Sequence, residues 1–111
     1  MNNVYDIAHE MVRSLKETDQ YKNYERAKKK VDANEAVSKM INDFHQVNQE
    51  FQTKTLISGG EQDPELLARI QSLYAIVIQD PLAAEYLQAE LSYSQVIAEI
   101  YQILGEASSV A

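Results

Sequence analysis

Two Asp-Pro dipeptides, Asp63-Pro64 and Asp80-Pro81, divide the second half of the chain into segments whose apolar residues recur at helical spacing. Aspartate is a preferred helix N-cap, and proline at the first helical position gives up an N–H group that has no partner in any helix. Each dipeptide therefore predicts the start of a helix. No segment alternates between apolar and polar residues as a half-buried strand does, so the whole chain is predicted to be helical.

The apolar periodicity predicts five helices, with Asn3, Thr18-Asp19 and Asn34 as the caps of the first three. The glycines of Ser58-Gly59-Gly60 suit the end of the third helix. The predicted helices are about Val4 to Glu17, a second from Thr18-Asp19 to near Asp32 or Ala33, Asn34 to Ile57, a fourth from Asp63, and a fifth from Pro81 to about Leu104.

The third helix is long for so small a chain, about 36 Å at 1.5 Å per residue. Its apolar residues form a heptad seam like that of a coiled coil. The seam residues are Val37, Met40, Phe44, Val47 and Phe51. The last helix is apolar around more than half of its circumference, which indicates that it is covered on two sides.

These wide apolar faces predict self-association, because one thin bundle cannot cover them all. We expect an all-α, elongated bundle of about five helices with long coiled-coil-like members, assembled as a homodimer or a larger oligomer. The alternative is a monomeric antiparallel bundle that closes on itself. The residues predicted at the oligomer interface are Phe44, Phe51, Tyr86, Tyr93, Ile97 and Ile100.

The length of 111 residues predicts a single domain over 1–111, with a frayed tail from about residue 105. The absence of cysteine excludes disulfides, thiolate nucleophiles and cysteine-held zinc or iron–sulfur sites. The chain begins without a basic region followed by an apolar one, and no run approaches the ~18 apolar residues that span a bilayer. A cytoplasmic protein is the simplest expectation.

Candidate catalytic and metal-binding residues are few. His9 follows Asp6 by three residues, which matches half of a carboxylate–histidine metal motif, but the other histidine, His45, has Asn42 at the corresponding position. Glu90 lies in line with the apolar residues of the last helix. Buried carboxylates sometimes act as acid or base catalysts; the simpler interpretation places Glu90 at a rim or in a pair with a lysine. The sequence predicts no metal, no cofactor and no enzyme.

Charge is unevenly distributed along the chain, whose net charge is −7. Basic and acidic residues balance at nine each up to Ile57, whereas from Ser58 onward Arg69 is the one basic residue against eight acidic residues. A basic cluster on the second helix is the most suggestive local feature, because its like charges four residues apart repel each other. The cluster consists of Lys22, Arg26, Lys28, Lys29 and Lys30.

An anionic group is expected to offset this repulsion, and its source is open. The acidic half of the same oligomer is one candidate, and an external protein or RNA is the other. The predicted partner surface is Lys22, Arg26, Lys29 and Lys30.

A series of packing and capping residues runs through the first half of the chain: Tyr5, Asp6, Ala8, Leu15, Tyr21, Tyr24, Ala27, Val31, Asp32, Asn34, Glu35, the Met40 to Phe44 stretch, Gln46 and Gln49. Together with the order and lengths of the helices from Val4 to about Leu104, these residues resemble the YlbF/YmcA family of small helical bacterial proteins, and its YheA type in particular.

The resemblance implies a cytoplasmic, mostly Gram-positive, all-helical protein that forms dimers or larger oligomers and offers no catalytic residues to carry over. Better-studied members regulate competence, sporulation and biofilm formation, in a complex that works with a membrane-bound endoribonuclease in messenger RNA maturation. Those members carry cysteines associated with an iron–sulfur cluster. Because this chain has no cysteine, the cluster is not expected here, and whether the ribonuclease-linked role applies is left open.

The predicted function is that of a non-enzymatic interaction or regulatory protein, acting as a helical homo-oligomer that binds an unknown cytoplasmic protein and no membrane. One alternative is an RNA-binding adaptor in RNA processing that uses the basic helix from Lys22 to Lys30. Another is an enzyme or cofactor binder, which requires polar groups converging on one pocket from different helices.

Overall fold

The computed structural model describes residues 3–107, and within this range it contains five α-helices and no strand. The prediction of an all-α fold is confirmed. Residues 108–111, where part of the predicted frayed tail falls, lie outside the described range. The helices are α1 (Val4–Lys16), α2 (Asp19–Asp32), α3 (Glu35–Ile57), α4 (Pro64–Val77) and α5 (Pro81–Gly105).

All five helices begin at the capping side chains that the sequence predicts. Asn3 and Asn34 each accept a hydrogen bond from the backbone N–H three residues on, at 3.0 and 3.1 Å. Thr18 Oγ1 accepts one at 3.1 Å at the start of α2. Asp63 and Asp80 each accept two, at 3.0 and 3.3 Å for Asp63 and at 2.9 and 3.0 Å for Asp80. These bonds satisfy N–H groups that have no partner inside the helix.

The α3–α4 connection is a tight turn. Gly59 and Gly60 have φ angles of 75° and 104°, which only glycine adopts at little cost. The Ser58 hydroxyl donates to the Glu61 carbonyl oxygen at 2.7 Å. Across the turn, Lys54 Nζ lies 2.8 Å from an Asp63 carboxylate oxygen, so the end of α3 is tied to the cap of α4.

The described chain forms two compact units, and the first of them is Lys29–Glu85. Here α3 packs against α4, and the Phe44 and Tyr74 rings lie 5.8 Å apart between centroids. The predicted seam of α3 faces this packing, since Val37 and Val47 are buried. The buried apolar residues of this unit are Val31, Val37, Ile41, Val47, Leu66, Val77 and Ala83.

The second unit consists of the described residues up to Lys28 together with those from Tyr86 onward. Among them only Ala27, Tyr86 and Ala89 are buried apolar residues. Helix α1 buries no residue at all. The prediction of a single domain stays a prediction.

Candidate interaction surfaces

Within the second unit, α2 packs against α5 through a cluster of four tyrosines, Tyr21, Tyr24, Tyr86 and Tyr93. The Tyr24 ring stacks on Tyr93 at a centroid distance of 5.6 Å and meets Tyr86 at 5.7 Å. Tyr21 approaches Tyr93 edge to face at 5.4 Å. Each such ring pair contributes about 0.5–1.5 kcal/mol beyond its buried area. The cluster therefore supplies a large share of the packing in a unit with few buried residues.

Glu90 belongs to this cluster and accepts a hydrogen bond from the Tyr86 hydroxyl at 3.2 Å. Burial of Tyr86, its hydrogen bond with Tyr24 and the negative charge of Glu90 all raise the pKa of the Tyr86 hydroxyl. Glu90 is half-buried. The structure thus pairs Glu90 with a tyrosine of its own helix.

The two histidines do not converge with carboxylates. His9 is exposed on α1, and His45 is half-buried on α3 beside the Phe44 ring. Across residues 3–107, no three His, Asp or Glu side chains are grouped so that they could hold a metal ion. The donor set that a cysteine-held cluster requires is missing from the sequence itself.

The predicted basic surface lies on the exposed side of α2, where Lys22, Arg26, Lys29 and Lys30 are all exposed. Lys30 forms an ion pair with Glu85 at 3.6 Å. Arg26 donates to the neutral side chain of Asn23 at 3.1 Å. One of the four cations is therefore paired with the acidic half of its own chain, in the way that the internal explanation requires.

The residues predicted at an oligomer interface occupy different environments. Tyr86 is covered within a single chain, with 6% of its surface exposed. The other five are half-buried: Phe44, Phe51, Tyr93, Ile97 and Ile100. Phe44 already contacts α4 of its own chain, whereas Ile97 and Ile100 lie in the second half of α5, where no residue from Glu90 to Gly105 is buried. Their use between protomers stays a prediction.

Sequence reasoning did not include α1 among the interface candidates, although the signal was available. The helix is strongly amphipathic, yet its apolar side chains face solvent, with Val4 70%, Ile7 54% and Val12 45% exposed. At the end of α3, Leu56 and Ile57 are each 81% exposed, and both fall outside the heptad seam. Periodicity marks such residues as apolar but does not say whether another helix of the chain covers them.

Exposed apolar helix faces are typical of sites of protein–protein contact. In the described range no helix is both long and apolar enough to span a membrane. Residues 4–108 match the family described as control of competence regulator ComK, YlbF/YmcA. The chain belongs to the YlbF/YmcA family, which confirms the resemblance found in the sequence.

Individual relatives match over nearly the whole chain. A UPF0342 protein of Symbiobacterium thermophilum is 36% identical over 107 residues, which cover 96% of this chain and 95% of the relative. A UPF0342 protein of Caldicellulosiruptor bescii is 37% identical over 106 residues, covering 96% and 88%. A UPF0342 protein of Staphylococcus haemolyticus is 35% identical over 102 residues, covering 92% and 89%.

Proposed function

We propose that this chain is a non-enzymatic regulatory protein of the cytoplasm that works by binding other proteins as a helical homo-oligomer, with a homodimer as the basic assembly. The observation that carries the proposal is the apolar surface left exposed on the described helices. On α1, Val4 is 70% exposed and Ile7 54%, and on the second half of α5, Tyr101 is 69% exposed and Ile103 62%. Contiguous exposed apolar surface typically marks a site of protein–protein contact.

A second copy of the chain that covers these faces would remove them from water, and symmetric homodimers are the commonest soluble oligomers. The description of the family as control of a competence regulator supports a regulatory role.

Light scattering of the purified protein tests the assembly. A dimer at low micromolar concentration is expected. Ile97→Lys should dissociate it, because an unpaired charge in a packed interface is costly. Gln102→Lys is the matched control, since it places the same charge on the polar side of α5, and circular dichroism reports whether each variant stays helical. A wild-type chain that is monomeric at high micromolar concentration would refute the assembly.

The absence of an enzyme cofactor is tested on protein from its native source. Elemental analysis and an absorption spectrum should find no stoichiometric transition metal, cluster or nucleotide. One metal ion per chain that survives dialysis would overturn the non-enzymatic proposal.

An RNA-binding adaptor is the second candidate, and the exposed cations of α2 favour it, because Lys22, Arg26 and Lys29 present a positive face. The net charge of −7 works against general RNA affinity. A gel shift with single-stranded RNA at two salt concentrations decides between an RNA-binding adaptor and a protein-binding regulator. Salt-dependent binding that is lost in Arg26→Gln/Lys29→Gln would support the adaptor. We expect no binding, and we expect Lys30→Gln, which breaks the pair with Glu85, to cost at most about 1 kcal/mol of stability.

A further inference from the structure

Three exposed cations form a straight row on α2. Lys22, Arg26 and Lys29 follow one another at spacings of four and three residues, so they lie on one side of the helix. This side points away from the half-buried Tyr24 and the buried Ala27. The three positions differ along the helix axis by about 6 Å and about 4.5 Å. We call these three residues the cation row.

No carboxylate within residues 3–107 forms an ion pair with the cation row. The Arg26 guanidinium donates to the neutral side chain of Asn23 at 3.1 Å. Glu25 lies four residues before Lys29, which is the spacing of a helical ion pair, yet its carboxylate hydrogen-bonds with the Tyr21 hydroxyl. The row therefore keeps its positive charge in the folded chain.

The acidic half of the chain neutralises a neighbour of the row and leaves the row itself. Lys30 pairs with Glu85 at 3.6 Å. Lys22 and Arg26 repel each other, because residues four positions apart on a helix are neighbours. Acidic residues farther away than about 10 Å do little to offset this repulsion in physiological salt. An anionic partner that reaches all three cations removes it.

We propose that the cation row binds an acidic helix of another protein, in which Asp or Glu residues recur at spacings of four and three residues. This inference rests on the proposed binding of other proteins and specifies the chemistry of one partner. Such a helix presents three carboxylates at axial spacings of about 6 Å and about 4.5 Å, the same as those of the row. Each cation then meets one carboxylate when the two helices lie side by side.

The acidic residues of this chain do not match the row, so a second copy is not the occupant. No helix of the chain carries three Asp or Glu residues at spacings of four and three residues, in either order. RNA fits less well than a protein helix. Proteins that bind single-stranded RNA stack its bases on aromatic side chains beside a positive groove. The aromatic side chains of α2, Tyr21 and Tyr24, pack on Tyr93 of α5 instead.

Fluorescence anisotropy with a labelled, alanine-rich peptide tests the inference. The peptide is a helix of about 20 residues with glutamates at spacings of four and three residues. We expect wild type to bind it and the binding to weaken as salt is added. Arg26→Gln/Lys29→Gln should weaken it by about tenfold, because two exposed ion pairs are lost. Arg13→Gln/Lys16→Gln removes the same charges from exposed positions of α1, and this matched control should change the affinity less than about threefold. Circular dichroism reports whether both variants stay helical.

A second peptide of the same composition, with its glutamates distributed around the helix, separates the row from general charge attraction. It should bind wild type more weakly than the first peptide. Equal binding of the two peptides, equal losses in the two variants, or no binding to wild type overturns the inference. None of these outcomes bears on the proposed function, which light scattering and metal analysis decide separately. Single-stranded RNA that binds more tightly than the first peptide, and loses its binding in Arg26→Gln/Lys29→Gln, refutes the acidic helix and assigns the row to RNA.

Discussion

Tyr86→Phe probes the cluster that joins α2 to α5. The substitution keeps the ring of this 6% exposed residue, 5.7 Å from the Tyr24 ring, and removes only the hydroxyl, which donates to Glu90 at 3.2 Å and also hydrogen-bonds with Tyr24. Loss of an ordinary hydrogen bond costs about 0.5–1.5 kcal/mol, and the long distance to a half-buried carboxylate places the expected value near 1 kcal/mol. The ring contacts are expected to remain.

The same substitution should change how stability depends on alkaline pH. The ordinary tyrosine pKa is 10.0, and in the folded chain burial and the hydrogen bond with Tyr24 raise the pKa of Tyr86. Below pH 10 the Tyr86 hydroxyl keeps its proton in both the folded and the unfolded chain, so its contribution to the free energy of unfolding is complete. Above pH 10 the unfolded chain loses this proton first. The free energy of unfolding therefore falls as the pH rises, by about 1.4 kcal/mol between pH 9 and pH 11. Phenylalanine has no hydroxyl proton, so the Tyr86→Phe protein lacks this fall in stability at alkaline pH.

Urea unfolding at pH 7, 9, 10 and 11 measures both effects. Wild type should be more stable than Tyr86→Phe at pH 7, and the difference should shrink or reverse by pH 11. Tyr5→Phe, at a residue 75% exposed, is the matched control and should follow wild type within about 0.5 kcal/mol at every pH. A Tyr86→Phe protein that is as stable as wild type at pH 7 and parallel to it up to pH 11 would show that the hydroxyl is not held as described.

Three further predictions concern the core, a cap and the turn. Ile41→Val, at a residue 2% exposed, should cost about 0.5–1.5 kcal/mol in urea unfolding, whereas Ile76→Val, at a residue 57% exposed, should stay within about 0.5 kcal/mol; equal losses contradict the assigned core. Asp80→Ala should lower the free energy of unfolding by about 0.5–2 kcal/mol because it removes the cap of α5, whereas Asp80→Asn should keep most of that stability. An Asp80→Ala protein as stable as wild type would contradict the role of Asp80 as a cap. The Lys54 ammonium lowers the pKa of Asp63 from 3.8 in the folded chain. The contribution of this ion pair to stability is therefore complete above pH 3.8 and is lost as the pH falls through the lower pKa of the folded chain. Lys54→Met should therefore weaken the dependence of stability on acid pH, and an identical acid dependence refutes the ion pair.

Much of the fold is predictable from the sequence, because helix starts depend on local chemistry. Each capping side chain accepts hydrogen bonds from N–H groups only two or three residues away, as at Asn3, Asn34, Asp63 and Asp80. A capping residue followed by periodic apolar residues is therefore enough to predict where a helix begins. The turn at Gly59 and Gly60 is local in the same sense, since its φ angles require glycine.

The candidate surfaces were only partly predictable. The basic residues of α2 are exposed, as the charge pattern indicated, but the ion pair of Lys30 with Glu85 joins residues 55 positions apart and has no local signal. Glu90 pairs with Tyr86 four residues earlier on its own helix, a neighbour that the helical period places on the same face. Which of several polar neighbours a side chain selects depends on rotamers and on distances between helices.

The sequence by itself determined the helical class, the helix starts and the apolar stripe of each helix, because all of these follow from interactions within a few residues. Only the tertiary structure decided which stripes meet. The seam of α3 packs against α4, the tyrosines of α2 pack against α5, and on α1 Val4, Ile7 and Val12 are left exposed. The physical reason is that periodicity records how much apolar surface each helix carries, whereas burial depends on which other surface comes within contact distance.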